Sequence, residues 1–201
     1  MFKHIVAGLL FGFFAATPLA AAEFEEGTHY SVLNREATED KEVMEFFSYA
    51  CPGCNSFQRF MDALDRGMGD DIAITYVPVG FGQSAFRATQ ELFYVMQAYG
   101  KVEELHDDVY RRIHVDHRSI NSTEVAREFL AENGISAEDF DKAVKSFATQ
   151  VRIKRAEQLT RDLRISSTPT VIVNGRYMVN IRAVSAPEQF VRLVRYLVQN
   201  P

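Results

Sequence analysis

Apolar residues between Lys41 and Tyr49 fall on both parities: Val43, Met44, Phe46, Phe47 and Tyr49. A strand covered on both faces has this pattern. Phe57, Phe60, Met61 and Leu64 then recur at helical spacing, with Pro52 in the first turn and Gly67 and Gly69 at the end. A second β-rich run covers 72–79, so strand, helix and strand form a βαβ unit. Upstream, THYSVL at 28–33 reads as an edge strand.

From Ser84 to about Leu163 the period is helical throughout. Phe86, Leu92, Phe93 and Met96 form one stripe; Val102, Leu105, Val109, Tyr110 and Ile113 form another. Val125, Phe129 and Leu130 follow the cap-rich NSTE. After Gly134, Ser136 and Asp139 suit a capping box, and Phe140, Val144 and Phe147 continue one face. VRIKRAEQLTRDL reads as a charged amphipathic helix. Strand character returns at 168–179, where Asn174-Gly175 between β-rich runs signals a hairpin. The chain closes on an amphipathic helix with Ser185 expected as N-cap, Pro187 in its first turn and Glu188 three residues on from the cap.

This order predicts an α/β fold split by an all-helical insertion. The expected segments are 23–83 and 157–201 for the two parts of the α/β domain, with 84–156 inserted between them. The closing hairpin and helix could not form a stable core alone, which argues against two separate domains.

The chain has 201 residues, 47% hydrophobic and 24% charged, which suits a globular core. A net charge of -5 offers no basic excess for nucleic acid. Residues 1–22 are expected to be a signal peptide: Lys3, an apolar run from Ile5 to Ala16, Pro18, then the small residues Ala20, Ala21 and Ala22. Cleavage is expected after Ala22, giving an exported mature protein that does not span a membrane. Disulfides persist in such a compartment.

The only two cysteines, Cys51 and Cys54, stand in SYACPGCNSF at the junction of the first strand and its helix. Three chemistries compete. A structural zinc site needs four ligands, and His114 with His117 sits in a polar stretch that reads as a solvated helix end. A structural disulfide would close a very short loop and remove little entropy from the unfolded chain. A redox pair fits better, because a helix N-terminus favours a thiolate. Cys51 would then be the accessible nucleophile and Cys54, one turn inside, the resolving thiol. Two features add weight. Thr168-Pro169 directly precedes a strand, and Glu45 interrupts an apolar strand. Alternation groups Glu45 with Val43 and Phe47, predicting a buried carboxyl of raised pKa that can accept a proton.

VMEFFSYACPGC, ITYVPVGFG, the helical insertion, STPTVIVNGRY and the closing helix together resemble the DsbA family of periplasmic thiol:disulfide interchange proteins, over residues 23–201. The resemblance implies a thioredoxin fold with an inserted helical domain and a periplasmic dithiol oxidase that uses no cofactor or metal. It implies that the Cys51-Cys54 disulfide is donated to folding exported proteins through a mixed disulfide, and that a DsbB-like, quinone-linked membrane protein restores it. It assigns Cys51 as nucleophile, Cys54 as resolving cysteine, Pro169 as a cis-proline facing them, and Glu45 as the buried acid. An apolar groove beside Thr168-Pro169 would take the substrate by backbone pairing. A monomer is expected.

Three positions depart from the family pattern. Gly53 stands between Pro52 and Cys54, where family members carry His that stabilises the thiolate, so a weaker oxidant than a Gly53→His variant is expected. Thr168 precedes the proline, where Val is common. Thr75 is aligned with a Lys that neighbours the buried acid, leaving Glu45 uncompensated. Gly53 and Thr168 keep a thioredoxin-fold reductase or isomerase in play, and a non-catalytic peptide-binding chaperone is the third reading.

Overall fold

The computed structural model describes residues 23–200, so the expected signal peptide lies outside the described residues. Five strands are ordered β1-β5-β4-β2-β3: β1 (Tyr30–Val32), β2 (Glu42–Phe47), β3 (Ala73–Pro78), β4 (Thr170–Val173) and β5 (Tyr177–Val179). Only β2 and β3 run parallel, joined across helix α1 (Pro52–Met68); the other neighbours are antiparallel. This is the expected βαβ unit, extended by a hairpin and by an edge strand at β1.

Between β3 and β4 lie five helices: α2 (Ser84–Ala98), α3 (Val102–His114), α4 (Thr123–Glu132), α5 (Ala137–Lys145) and α6 (Phe147–Asp162). The expected limit of the insertion at 156 falls inside α6. Helix α7 (Pro187–Gln199) closes the chain. Alternation along the central strands divides the core. Val43, Val171 and Val173 pack with α1 and α7, where Phe57 meets Phe190 at a ring separation of 5.3 Å. Met44, Phe46, Val77 and Ile172 pack with the inserted helices.

The turn chemistry acts where expected. Asn174 (φ 49°) and Gly175 (φ 62°) both take the left-handed conformation in the tight turn from β4 to β5, which the Arg176 N–H closes on the Val173 carbonyl at 3.0 Å. Ser122, Ser136 and Ser146 cap α4, α5 and α6 by accepting from the N–H three residues on. Three local expectations fail. Ala186, not Ser185, is the N-cap of α7; the Ser185 N–H and hydroxyl donate to the Gln189 side-chain Oε1 instead. Phe147 does not continue the face of α5. A break at Ser146 starts a new helix there and leaves Phe147 86% exposed. His114 is no solvated end: its Nε2–H donates to the Tyr49 carbonyl at 2.8 Å.

Candidate active site

Residues 48–50 carry the chain from β2 to α1, and Cys51 is the N-cap of that helix. Pro52 occupies the first helical turn, where its missing N–H costs nothing. Cys51 is half-buried and Cys54 fully buried, both as thiols. The Cys51 sulfur receives hydrogen bonds from the Cys54 thiol and from the N–H groups of Gly53 and Cys54, and the Thr168 side chain adds another. Together these outweigh partial burial and lower the Cys51 pKa to about 5. The Thr168 carbonyl, 3.4 Å from the sulfur, accepts from the thiol and acts the other way. The Cys54 thiol is pushed far up, first because it donates to Cys51 and then because it is buried. One sulfur is thus an anion at neutral pH and the other keeps its proton.

The Thr168-Pro169 peptide bond is cis, and the loop lies directly over the cysteine pair. A β-carbon placed on Gly53 would stand 3.3 Å from Pro169 Cδ and 3.6 Å from the Cys51 sulfur. Gly53 therefore lets the proline ring close over the site.

Glu45 is fully buried and neither carboxyl oxygen has a protein partner. Desolvation, then the nearby Cys51 charge, then Asp62 raise its pKa to about 8. It is a neutral acid at pH 7. The expected neighbour is wrong, however. In the parallel ladder Glu45 pairs with Tyr76, while Thr75 pairs with Met44 and is exposed on the opposite face. The residue beside the acid is thus a tyrosine, which supplies no charge to compensate it.

Beside the cis-proline lies a groove of about 470 Å³. Its lining is mixed rather than apolar: Tyr30, Met178 and Ile181 alternate with Ser31, Asn180 and Arg182.

The model of the DSBA-like thioredoxin domain matches residues 42–192. The chain belongs to this family. Similar proteins named thiol:disulfide interchange protein DsbA include that of Pseudomonas aeruginosa, 28% identical over 158 residues, which are 79% of this chain and 74% of that protein. That of Pectobacterium carotovorum is 28% identical over 201 residues, covering 94% and 95%. The crystal structure of Pseudomonas aeruginosa DsbA matches with a TM-score of 0.78 at 26% identity, over 88% of this chain and 94% of that one. A Proteus mirabilis DsbA, solved with the non-covalently bound peptide PWATCDS, shares the fold at 23% identity with a TM-score of 0.74, over 89% of this chain and all of that one. Family membership makes this chain a protein-disulfide oxidoreductase.

Sequence reasoning missed the ring of polar groups behind the cysteines. His106 Nδ1 lies 2.7 Å from the Tyr49 hydroxyl, and its Nε2 lies 2.9 Å from Gln58 Oε1. The signal was present. His106 stands four residues after Val102 and four before Tyr110, inside the apolar stripe of α3. A histidine in that position faces the core.

Proposed function

We propose that the protein donates its Cys51-Cys54 disulfide to folding exported proteins in the periplasm. A substrate thiolate attacks the Cys51 sulfur, the S–S bond breaks, and Cys54 leaves with the electron pair. Cys54, whose thiol form is strongly favoured, takes a proton from neutral Glu45. A second substrate thiolate then attacks the substrate sulfur of the mixed disulfide, and Cys51 leaves as the stable thiolate. The substrate loses two electrons and the enzyme ends as the dithiol.

The low Cys51 pKa carries this reading. A stabilised leaving thiolate makes the disulfide a good donor, the logic for which DsbA is itself the standard example. The groove beside Thr168-Pro169 supports capture of an extended peptide by backbone pairing, as does the peptide held by the Proteus mirabilis relative. A DsbB-like quinone-linked membrane protein completes the cycle by reoxidation.

The test mixes the oxidised protein with a reduced, unfolded disulfide protein. Cys54→Ser, activated as a mixed disulfide with glutathione, should pass Cys51 onto substrate and remain trapped there; Cys51→Ser should form no adduct. In cells, Cys51 and Cys54 should be oxidised at steady state and become reduced when the reoxidase is absent. A pair reduced at steady state would assign the protein to the reductases or isomerases instead.

A further inference from the structure

We propose that His106, on a helix of the insertion, carries the proton that Glu45 exchanges with solvent. The inference rests on the disulfide-exchange reading above, because only that chemistry requires a buried proton to come and go.

Glu45 is sealed. Both oxygens are buried without a protein partner, and the cysteine pair lies on one side. Beside it on the same face of the sheet stands Tyr76, its partner in the ladder. Tyr76 and His106 form adjoining walls of an open cavity of about 770 Å³ between α1, β3 and α3, with their rings 5.2 Å apart. Asp62 from α1 and Asp107 and Glu103 from α3 also line this cavity. A proton leaving Glu45 on this side meets the cavity next.

The His106 contacts suit a carrier. Gln58 Oε1 only accepts, so Nε2 holds the proton and Nδ1 accepts from the Tyr49 hydroxyl. Four buried atoms of this cluster belong to an incomplete polar network: the two free oxygens of Glu45, Gln58 Nε2 and the Tyr110 hydroxyl. Tyr49 and Tyr110 both sense the Glu45 charge, and Tyr110 also senses both cysteines. Buried polar groups without partners are the usual seats of ordered water, which bridges such gaps. Burial keeps His106 neutral, with its pKa lowered to about 4, so it takes a proton only in passing.

The demand arises when the dithiol is reoxidised. Cys51 thiolate first forms a mixed disulfide with the oxidant. The mixed disulfide removes the Cys51 charge that helps keep Glu45 protonated, so Glu45 releases its proton outward through the Tyr49–His106 contact to the cavity. The carboxylate so formed takes the Cys54 proton, and the Cys54 sulfur attacks Cys51 and expels the oxidant's thiolate.

The experiment follows single-turnover oxidation of the reduced protein by oxidised glutathione, resolving mixed-disulfide formation from its resolution by acid quench. If the wild type forms no mixed disulfide, the underlying reading fails before His106 is tested. In His106→Ala, formation should keep its rate and resolution should slow about tenfold or more. Added imidazole, which fits the cavity, should restore resolution. Wild-type resolution in the variant, or a slow resolution that imidazole leaves unchanged, overturns the proposal. Should His106→Ala not fold, His106→Gln retains a hydrogen bond to Tyr49 yet cannot carry a proton. Slow resolution with unchanged formation supports the carrier role there, and wild-type resolution overturns it.

Discussion

Gly53 leaves the Cys51 sulfur with the Cys54 thiol, backbone N–H groups and the Thr168 hydroxyl as donors, where the family resemblance implies a histidine. Those donors already hold the thiol at about 5. A side chain at 53 meets Pro169 at 3.3 Å, so Gly53→His must shift the loop by a few tenths of an ångström before it can add its charge. Gly53→His should nonetheless be the stronger oxidant in equilibration with glutathione, and Gly53→Ala isolates the steric part. An unchanged or lower potential in Gly53→His contradicts this. Glu45 gives a second prediction. Its folded pKa of about 8 lies above its ordinary 4.5, so its contribution to stability is full below about pH 4.5 and is lost as pH rises through 8. Glu45→Gln should therefore gain stability over the wild type by a few kcal/mol between pH 6 and pH 9, read from paired denaturant titrations. The cysteine pair, Pro169 before its strand and the buried acid were legible because each breaks a local pattern, whereas the cis bond of Thr168-Pro169 was implied only by the family resemblance. Tyr76 was not, since a one-residue choice of register decides which of two neighbours shares a face with Glu45.

At the scale of elements, the helical insertion does more than cover the sheet. Helix α3 reaches the candidate active site twice: His114 binds the Tyr49 carbonyl two residues before Cys51, and His106 binds the Tyr49 hydroxyl. Periodicity showed each helix of the insertion but not which partner each would meet, because such contacts are set by packing between distant segments. Ser146 shows the same limit locally. It ends α5 by donating to the Ala143 carbonyl at 2.8 Å and starts α6 by accepting from the Thr149 N–H at 3.2 Å. One residue with both jobs hides a helix boundary inside a continuous periodic run, which is why periodicity alone places Phe147 on the α5 face. Ser146→Ala should cost about 1 kcal/mol, measured by urea denaturation, with little effect on the Cys51 titration.

In the whole molecule, the site belongs to the seam between the sheet, α1 and the insertion, so redox state and folding stability are linked. Cys51 ionises only in the dithiol form, and its folded pKa of about 5 lies below the ordinary 9.0. The stabilisation this gives the reduced protein is complete above about pH 9 and is lost as pH falls through 5. The reduced form should thus unfold at higher denaturant than the oxidised form at pH 7, with the gap narrowing toward pH 5; a gap independent of pH would contradict the linkage. The central claim is that Cys51-Cys54 is an oxidising pair even with glycine at 53. Its most direct test is the equilibrium between this protein and the glutathione couple at pH 7. A protein reduced by glutathione even when oxidised glutathione predominates, a potential above that of the couple, is the predicted result. A potential at or below that of glutathione would contradict the account.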